Sequence, residues 1–276
     1  DRASEPVVIV RASTDPRPLR SRLHLDVVRP MSVVERIGLG AGSGSYGVCH
    51  RDADGNEVDL VPGDPLGDGP TTADWQVVFA ASAAYRTTSP PQQGELVTAA
   101  ASIADAAGFP LLIDVRPGLV VLDTGKDRWD AAAHGLDVDV VELAADLQAA
   151  ARALGAVADP SQARFVQIGI DAADVEAVRA FWVGALGYVH DRRTGLTDIH
   201  DPRWLDPVLI FQGIDESDTA RRCQRNRIHL QLAVPLDAVS DRVDTAIAAG
   251  GRVLDRTDGH GTIADPEGNE LVIVGG

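Results

Sequence analysis

The chain has 276 residues, 45% of them hydrophobic, which is enough to bury two or more small cores and sets it apart from disordered chains. A formal net charge of -16 argues against nucleic acid and against anionic membrane surfaces as partners. Cys49 and Cys223, with no C-x-x-C spacing, argue against a disulfide scaffold or a zinc knuckle and make a reducing, cytoplasmic setting the default.

In chain order, residues 1 to about 64 read as short strands with one short helix. They end in the turn-rich run from Val61 to Pro70, taken as a boundary. No apolar run approaches the roughly 20 residues that span a bilayer, and Asp1 opens no signal peptide. The next segment changes character. Trp75 to Phe79 reads as a strand, Gln93 to Ala107 as an Ala-rich helix stopped at Gly108, Leu111 to Val115 and Leu119 to Asp123 as strands about Arg116-Pro117-Gly118, and Val138 to Leu154 as a helix ending at Gly155. Asp159-Pro160-Ser161 is a short linker. From about 162 two consecutive β-α-β-β-β modules follow. The first runs from the strand Phe165–Asp171 through the helix Asp174–Leu186 to Pro207–Ile214, and the second from Ile228 to Val274. Lys126 is the only lysine, and with abundant Ala, Val, Asp and Gly this points to a GC-rich bacterial source.

One pattern recurs. Arg227-Ile228-His229-Leu230-Gln231-Leu232 followed by Asp265-Pro266-Glu267-Gly268-Asn269-Glu270 has a counterpart in Arg22-Leu23-His24-Leu25-Asp26-Val27 followed by Asp52-Ala53-Asp54-Gly55-Asn56-Glu57. The leading segments also match, Glu5 to Arg11 against Asp206 to Gln212. The first copy is shorter where the second has the helical run from Leu236 to Gly251.

Together with Phe181-Trp182-Val183-Gly184-Ala185-Leu186-Gly187-Tyr188, these motifs resemble the vicinal oxygen chelate superfamily of glyoxalase I, extradiol dioxygenases, fosfomycin-modifying enzymes and bleomycin-binding resistance proteins. The resemblance implies an α+β fold in which paired β-α-β-β-β modules form an open cup. It assigns residues 162–276 to a complete domain and 1–64 to the second half of another. The segment 70–158 resembles the pterin-4a-carbinolamine dehydratase fold, through Asp105-Ala106-Ala107-Gly108, Ile113 to Gly118 and Ala150 to Gly155. That family's His-His-Pro motif is replaced here by Phe109-Pro110, and phenylalanine moves no proton, so the unit reads as a scaffold and His134 as a loop residue.

Carried over by motif, the inward-facing positions are Gln167, Gln212, His229 and Glu270, a borderline-hard donor set for Zn, Ni, Co, Mn or Fe. Such an ion would polarise adjacent substrate oxygens, with Glu270 moving a proton and His260 a candidate carrier at the cup mouth; a surface loop is the alternative role for His260. Trp204 and Phe211 are candidates for an aromatic pocket wall. In the first copy Arg11 stands where the other has Gln212. With His24 and Glu57 it suggests a site for an anionic small molecule, or His24 and Glu57 form a buried polar pair. Two readings follow: a metal-dependent lyase or isomerase of the glyoxalase type acting on a small oxygenated metabolite, or a metal-free protein that binds or sequesters a drug or natural product. Extradiol ring cleavage is disfavoured, since that chemistry uses two histidines and a glutamate and one histidine is placed here. Open cups of this fold often complete one another, so a homodimer is a natural expectation.

Overall fold

The computed structural model describes residues 8–14, 16–44 and 46–276; Asp1 and the Glu5 to Val7 opening of the first repeat lie outside them. The first stretch gives β1 (Leu23–Pro30), α1 (Met31–Ile37), β2 (Cys49–Arg51) and β3 (Glu57–Pro65). The middle gives β4 (Trp75–Val77), β5 (Ala81–Arg86), α2 (Pro90–Ala106), β6 (Leu112–Arg116), β7 (Leu119–Asp123), α3 (Val140–Ala153) and β8 (Val157–Ala158). Then come β9 (Phe165–Ala172), α4 (Val175–Leu186), β10 (Val189–His190), β11 (Ile199–His200), β12 (Val208–Gly213) and α5 (Thr219–Cys223). The last elements are β13 (Leu230–Val234), α6 (Val239–Ala248), β14 (Arg252–Thr257), β15 (His260–Ala264) and β16 (Glu270–Gly275).

The chain divides into two compact units. One comprises residues up to Asp26, His50–Asp59 and Val166–Gly276, and the other Val27–Cys49 and Leu60–Phe165. The chain passes between them four times, each time inside a strand: β1, β2, β3 and β9.

In the first unit the two modules share one topology. β9 to β12 order as β10-β11-β12-β9, and β13 to β16 as β14-β15-β16-β13, each with its first and last strands parallel. α4 begins at the Asp174 cap, whose carboxylate accepts from the Ala177 amide at 3.0 Å, and ends at Gly187 in the left-handed region. Val178, Phe181, Trp182 and Ala185 line one stripe of α4, and Val239, Val243 and Ala246 one stripe of α6; the helices pack together through them. Gly184 permits the close approach, since a Cβ there would stand 2.6 Å from that of Ala249. Trp182 also donates to Asp265 at 3.1 Å, joining α4 to the turn before β16.

Ile168, Ile170, Leu209 and Phe211 from the first sheet and Ile263, Leu271 and Ile273 from the second enter the same core. Each sheet thus spends one face on the helices, and its other face points away from that shared core. This corrects one expectation: the two modules of 162–276 do not supply facing walls of one cup. Their apolar helices bury each other, and the free edge of β9 is taken by β1, with β3 next to it. The Asp171 amide donates to the Arg22 carbonyl at 2.8 Å. The paired-module α+β architecture is as expected, and the wall beside the first module comes from the N-terminal copy.

In the second unit β3-β4-β5-β7-β6 form an antiparallel order with β8 against β5. α2 and α3 pack through Leu96, Ala100, Leu143 and Leu147. Phe109 is buried in this core.

Candidate functional site

β9 is buried on both faces, yet its residues alternate in character. Ile168, Ile170 and Ala172 face the helices, leaving Gln167, Gly169 and Asp171 on the opposite side. β1 repeats the alternation: Leu23 joins the core and Leu25 packs against it, while His24 and Asp26 look the other way. Strand pairing brings these polar positions together. Gln167 Nε2 donates to Asp26 Oδ2 at 2.7 Å, and His24 Nε2 stands 3.4 Å from Asp26 Oδ1. The His24 ring lies directly over Gly169, where a Cβ would come within 2.3 Å of it. Glycine is the residue that lets an imidazole settle on the strand at that point. Asp59, two residues into β3, completes a cluster in which one donor atom each of His24, Asp26 and Asp59 lies within 4.8 Å of the others.

The sequence motif assigned His24 and Glu57 to this copy and passed over Asp26 and Asp59. The signal was available. Each lies two positions beyond the motif residue on a strand, hence on the same face, and the second copy has Gln231 and Val272 in their places.

Glu57 is buried, and both its oxygens are held by guanidinium groups: Arg51 at 2.6 and 2.7 Å and Arg20 at 2.6 Å. Glu270 has the same relationship to Arg225, bidentate with the second contact at 2.8 Å. Arg225 stands four residues before His229 just as Arg20 stands four before His24. The hydrogen bond from Arg225 holds the Glu270 carboxyl below the ordinary carboxylate range, and the nearby His229 acts in the same direction. A carboxylate so engaged is a poor proton acceptor.

The remaining expected residues separate. Gln212 is exposed at the end of β12, in register with Asp171 and on the polar face. Gln167 pairs with Val208, four residues earlier on that strand, so the two amides are about 13 Å apart along the sheet. His229 is exposed just before β13, and Glu270 begins β16 on the other sheet. Gln167, Gln212, His229 and Glu270 therefore do not form one site, because the faces that carry them belong to different sheets backed by a common core. Phe211, expected on a pocket wall, is buried in that core on the opposite face of β12 from Gln212. Trp204 is half-buried in a loop with φ of 57° and stacks on His200 at 4.3 Å, an anchoring contact. His260 sits at the start of β15, 3.6 Å from Asp255. Arg11 is exposed on the segment before β1.

Buried arginine ties the copies together. Arg22 donates to Asn269 Oδ1 at 3.2 Å, to the carbonyls of Arg221 at 3.0 Å, Gln224 at 3.1 Å and Glu267 at 3.1 Å, and to that of Arg222. Arg227, its counterpart in the repeat, donates to the Asp54 carbonyl. Each copy's arginine thus closes on the other copy's Asp-x-x-Gly-Asn-Glu turn.

Residues 167–274 match a family model described as Glyoxalase-like domain. No curated protein matches the chain. Among solved structures it is similar to a glyoxalase/bleomycin resistance/dioxygenase family enzyme from Burkholderia phytofirmans, at 21% identity over 38% of this chain and 92% of that one, with a TM-score of 0.30. A glyoxalase-related enzyme from Fulvimarina pelagi is similar at 21% identity over 39% and 86%, TM-score 0.30. The fosfomycin resistance protein FosX from Mesorhizobium loti is similar at 9% identity over 39% and 87%, TM-score 0.32. No helix among the described residues is long and apolar enough to cross a membrane.

Proposed function

We propose that the first unit is a glyoxalase-like binding module that takes a small oxygenated metabolite on the polar face of β9 and β1. One observation carries the reading: a buried polar wall on the side of β9 away from its apolar core. Gln167 and Asp171 are both under 6% exposed, and Gln167 Oε1 has no hydrogen-bond partner among the described residues. Buried polar atoms of this kind are normally satisfied, and an oxygen-rich ligand brings the hydroxyl donors that an amide carbonyl lacks here.

The divalent ion expected from the motif does not fit the quartet Gln167, Gln212, His229 and Glu270, which lies on two sheets, and no catalytic step is derived through it. Glu270, the expected proton carrier, is engaged by Arg225. Binding is accordingly the activity that this face supports. For the middle segment the reading is a scaffold, supported by Phe109 packed inside the core where a proton-transfer group would be needed.

The test is calorimetric titration of the full chain with a panel of vicinal diols, α-hydroxy acids and α-keto acids. Saturable binding by at least one class, lost in Gln167→Leu while the circular dichroism spectrum is unchanged, is the expected result. Binding that survives Gln167→Leu at full affinity would remove this face as the site.

A further inference from the structure

We propose that Arg29, Arg36 and Arg164, all in the second unit, form a site at the end of β1 for the phosphate group of a small soluble molecule. Nothing in it depends on the metabolite face of the first unit, so the two readings stand or fall separately.

Strand register brings two of the arginines together. β1 and β9 are neighbours in one sheet. The Asp171 amide donates to the Arg22 carbonyl and His24 lies on Gly169, so the two strands run in opposite directions. Counted onward from those pairs, Val28 falls opposite Phe165 and Arg29 opposite Arg164, and Val28 and Phe165 do share an apolar cluster. Arg29 is the last residue but one of β1, and Arg164 stands just before β9. α1 follows β1 directly and carries Arg36 in its last turn.

Charge makes this grouping costly for the protein alone. Like charges set opposite one another on neighbouring strands are unfavourable. The chain has 41 acidic residues against 25 Lys and Arg, so three converging arginines run against its composition. Burial makes the Arg29 guanidinium easier to deprotonate, and the positive charges of Arg164 and Arg36 push the same way; among the described residues no carboxylate acts on it in the other direction. The C-terminal end of α1 accounts for a cation at Arg36, but not for two more beside it.

Hydrogen bonding adds an independent argument. Arg29 Nη2 donates to the Ser161 carbonyl at 2.7 Å, which fixes the guanidinium plane. Arg29 Nε is buried with no hydrogen-bond partner among the described residues. A buried N–H without an acceptor is costly, and neighbouring guanidiniums only donate, so neither Arg36 nor Arg164 can satisfy it. An oxyanion supplies both the acceptor and the charge. A phosphate monoester brings about −1.5 to −2 charges at neutral pH and three strong acceptor oxygens, a better match to three guanidiniums than the single charge of a carboxylate. The net charge of -16 repels polyanionic surfaces at long range, which favours a small phosphorylated molecule.

The experiment titrates the full chain with inorganic phosphate and, separately, with acetate by calorimetry, at an ionic strength held constant with sodium chloride. Saturable one-to-one phosphate binding is expected, at least about tenfold tighter than acetate. Arg164→Gln and Arg36→Gln should each weaken it at least about tenfold, the loss of one charge-assisted hydrogen bond. Both side chains are exposed, so these variants remain informative if Arg29→Gln fails to fold. Arg256→Gln, on β14 of the first unit, should leave phosphate affinity unchanged. The site is overturned by no saturable phosphate binding, by affinity that survives both Arg164→Gln and Arg36→Gln, or by an equal loss in Arg256→Gln. Acetate bound as tightly as phosphate would overturn the phosphate assignment. Co-sedimentation of the chain with anionic phospholipid vesicles at the same ionic strength would overturn the assignment to a soluble molecule.

Discussion

At Gly169 a single methyl group decides whether His24 can lie on β9. An added Cβ would meet the imidazole at 2.3 Å, and the ring belongs to a side chain already buried between strands. Gly169→Ala should therefore destabilise the chain by about 1–3 kcal/mol, as overpacked cores do, although alanine suits a strand better than glycine. Urea denaturation of the variant measures this, and a neutral or stabilising result would show that the ring moves aside freely.

A second residue sets a pH dependence in the other unit. Burial pushes the Asp123 carboxyl up from 3.8 to about 6, against a hydrogen bond from the Gly125 amide at 2.7 Å. An acid whose folded pKa is raised binds its proton more tightly in the native state, so stability falls as pH rises from about 4 to about 6 and the loss is complete above that. The gap corresponds to about 3 kcal/mol, an upper bound because the side chain is partly open to water. Asp123→Asn should accordingly be more stable than the parent at pH 7 by about 1–3 kcal/mol and no more stable at pH 4. Denaturant midpoints at the two pH values provide the check, and an equal gain at both would assign the effect to packing.

Between helices the informative position is Gly184. In an isolated helix Gly→Ala gains about 1 kcal/mol. Here the new Cβ would sit 2.6 Å from that of Ala249, between two helices that share the core, so Gly184→Ala should lower the melting temperature despite its better helix propensity. Elements of this kind were legible where the period was strong. The sequence run 174–186 corresponds to α4 (Val175–Leu186), 207–214 to β12 (Val208–Gly213) and 119–123 to β7, because each has apolar residues at a clear spacing and a Gly or Asp marking its end. β5 (Ala81–Arg86) was not. Ala-Ser-Ala-Ala-Tyr-Arg has no alternation of large apolar groups, and it becomes a strand only because β4 and β7 flank it.

The site was legible in a different sense. The repeat located His24, Glu57, His229 and Glu270 on strands, but which strand edges meet is a tertiary outcome. Nothing local to Phe181 or Trp182 says that their helix will cover α6, or that β1 will then lie along β9. Arg225 and Arg20 were invisible for a similar reason: an arginine four residues before a histidine is unremarkable until the strand ends and the turn fold back onto it.

For the whole chain, a formal charge of -16 implies self-repulsion that added salt screens. Raising sodium chloride from about 0.05 to about 0.5 M should raise the melting temperature by calorimetry, and a fall would mean that ion pairs such as those of Glu57 and Glu270 outweigh the repulsion.

The exchange of arginines between the two repeat copies bears on what can be cut away. Residues 167–274 look self-sufficient as a stretch of sequence, yet their edge strand β9 is sheltered by β1, and the guanidinium that satisfies the carbonyls around the last turn arrives from residue 22. A gene fragment beginning at 162 would express a protein with an unpaired strand and orphaned buried carbonyls, prone to self-association through that edge. Heritable or engineered shuffling of this module must therefore carry two distant pieces of chain together, and a circular permutation that keeps both is the excision the architecture tolerates.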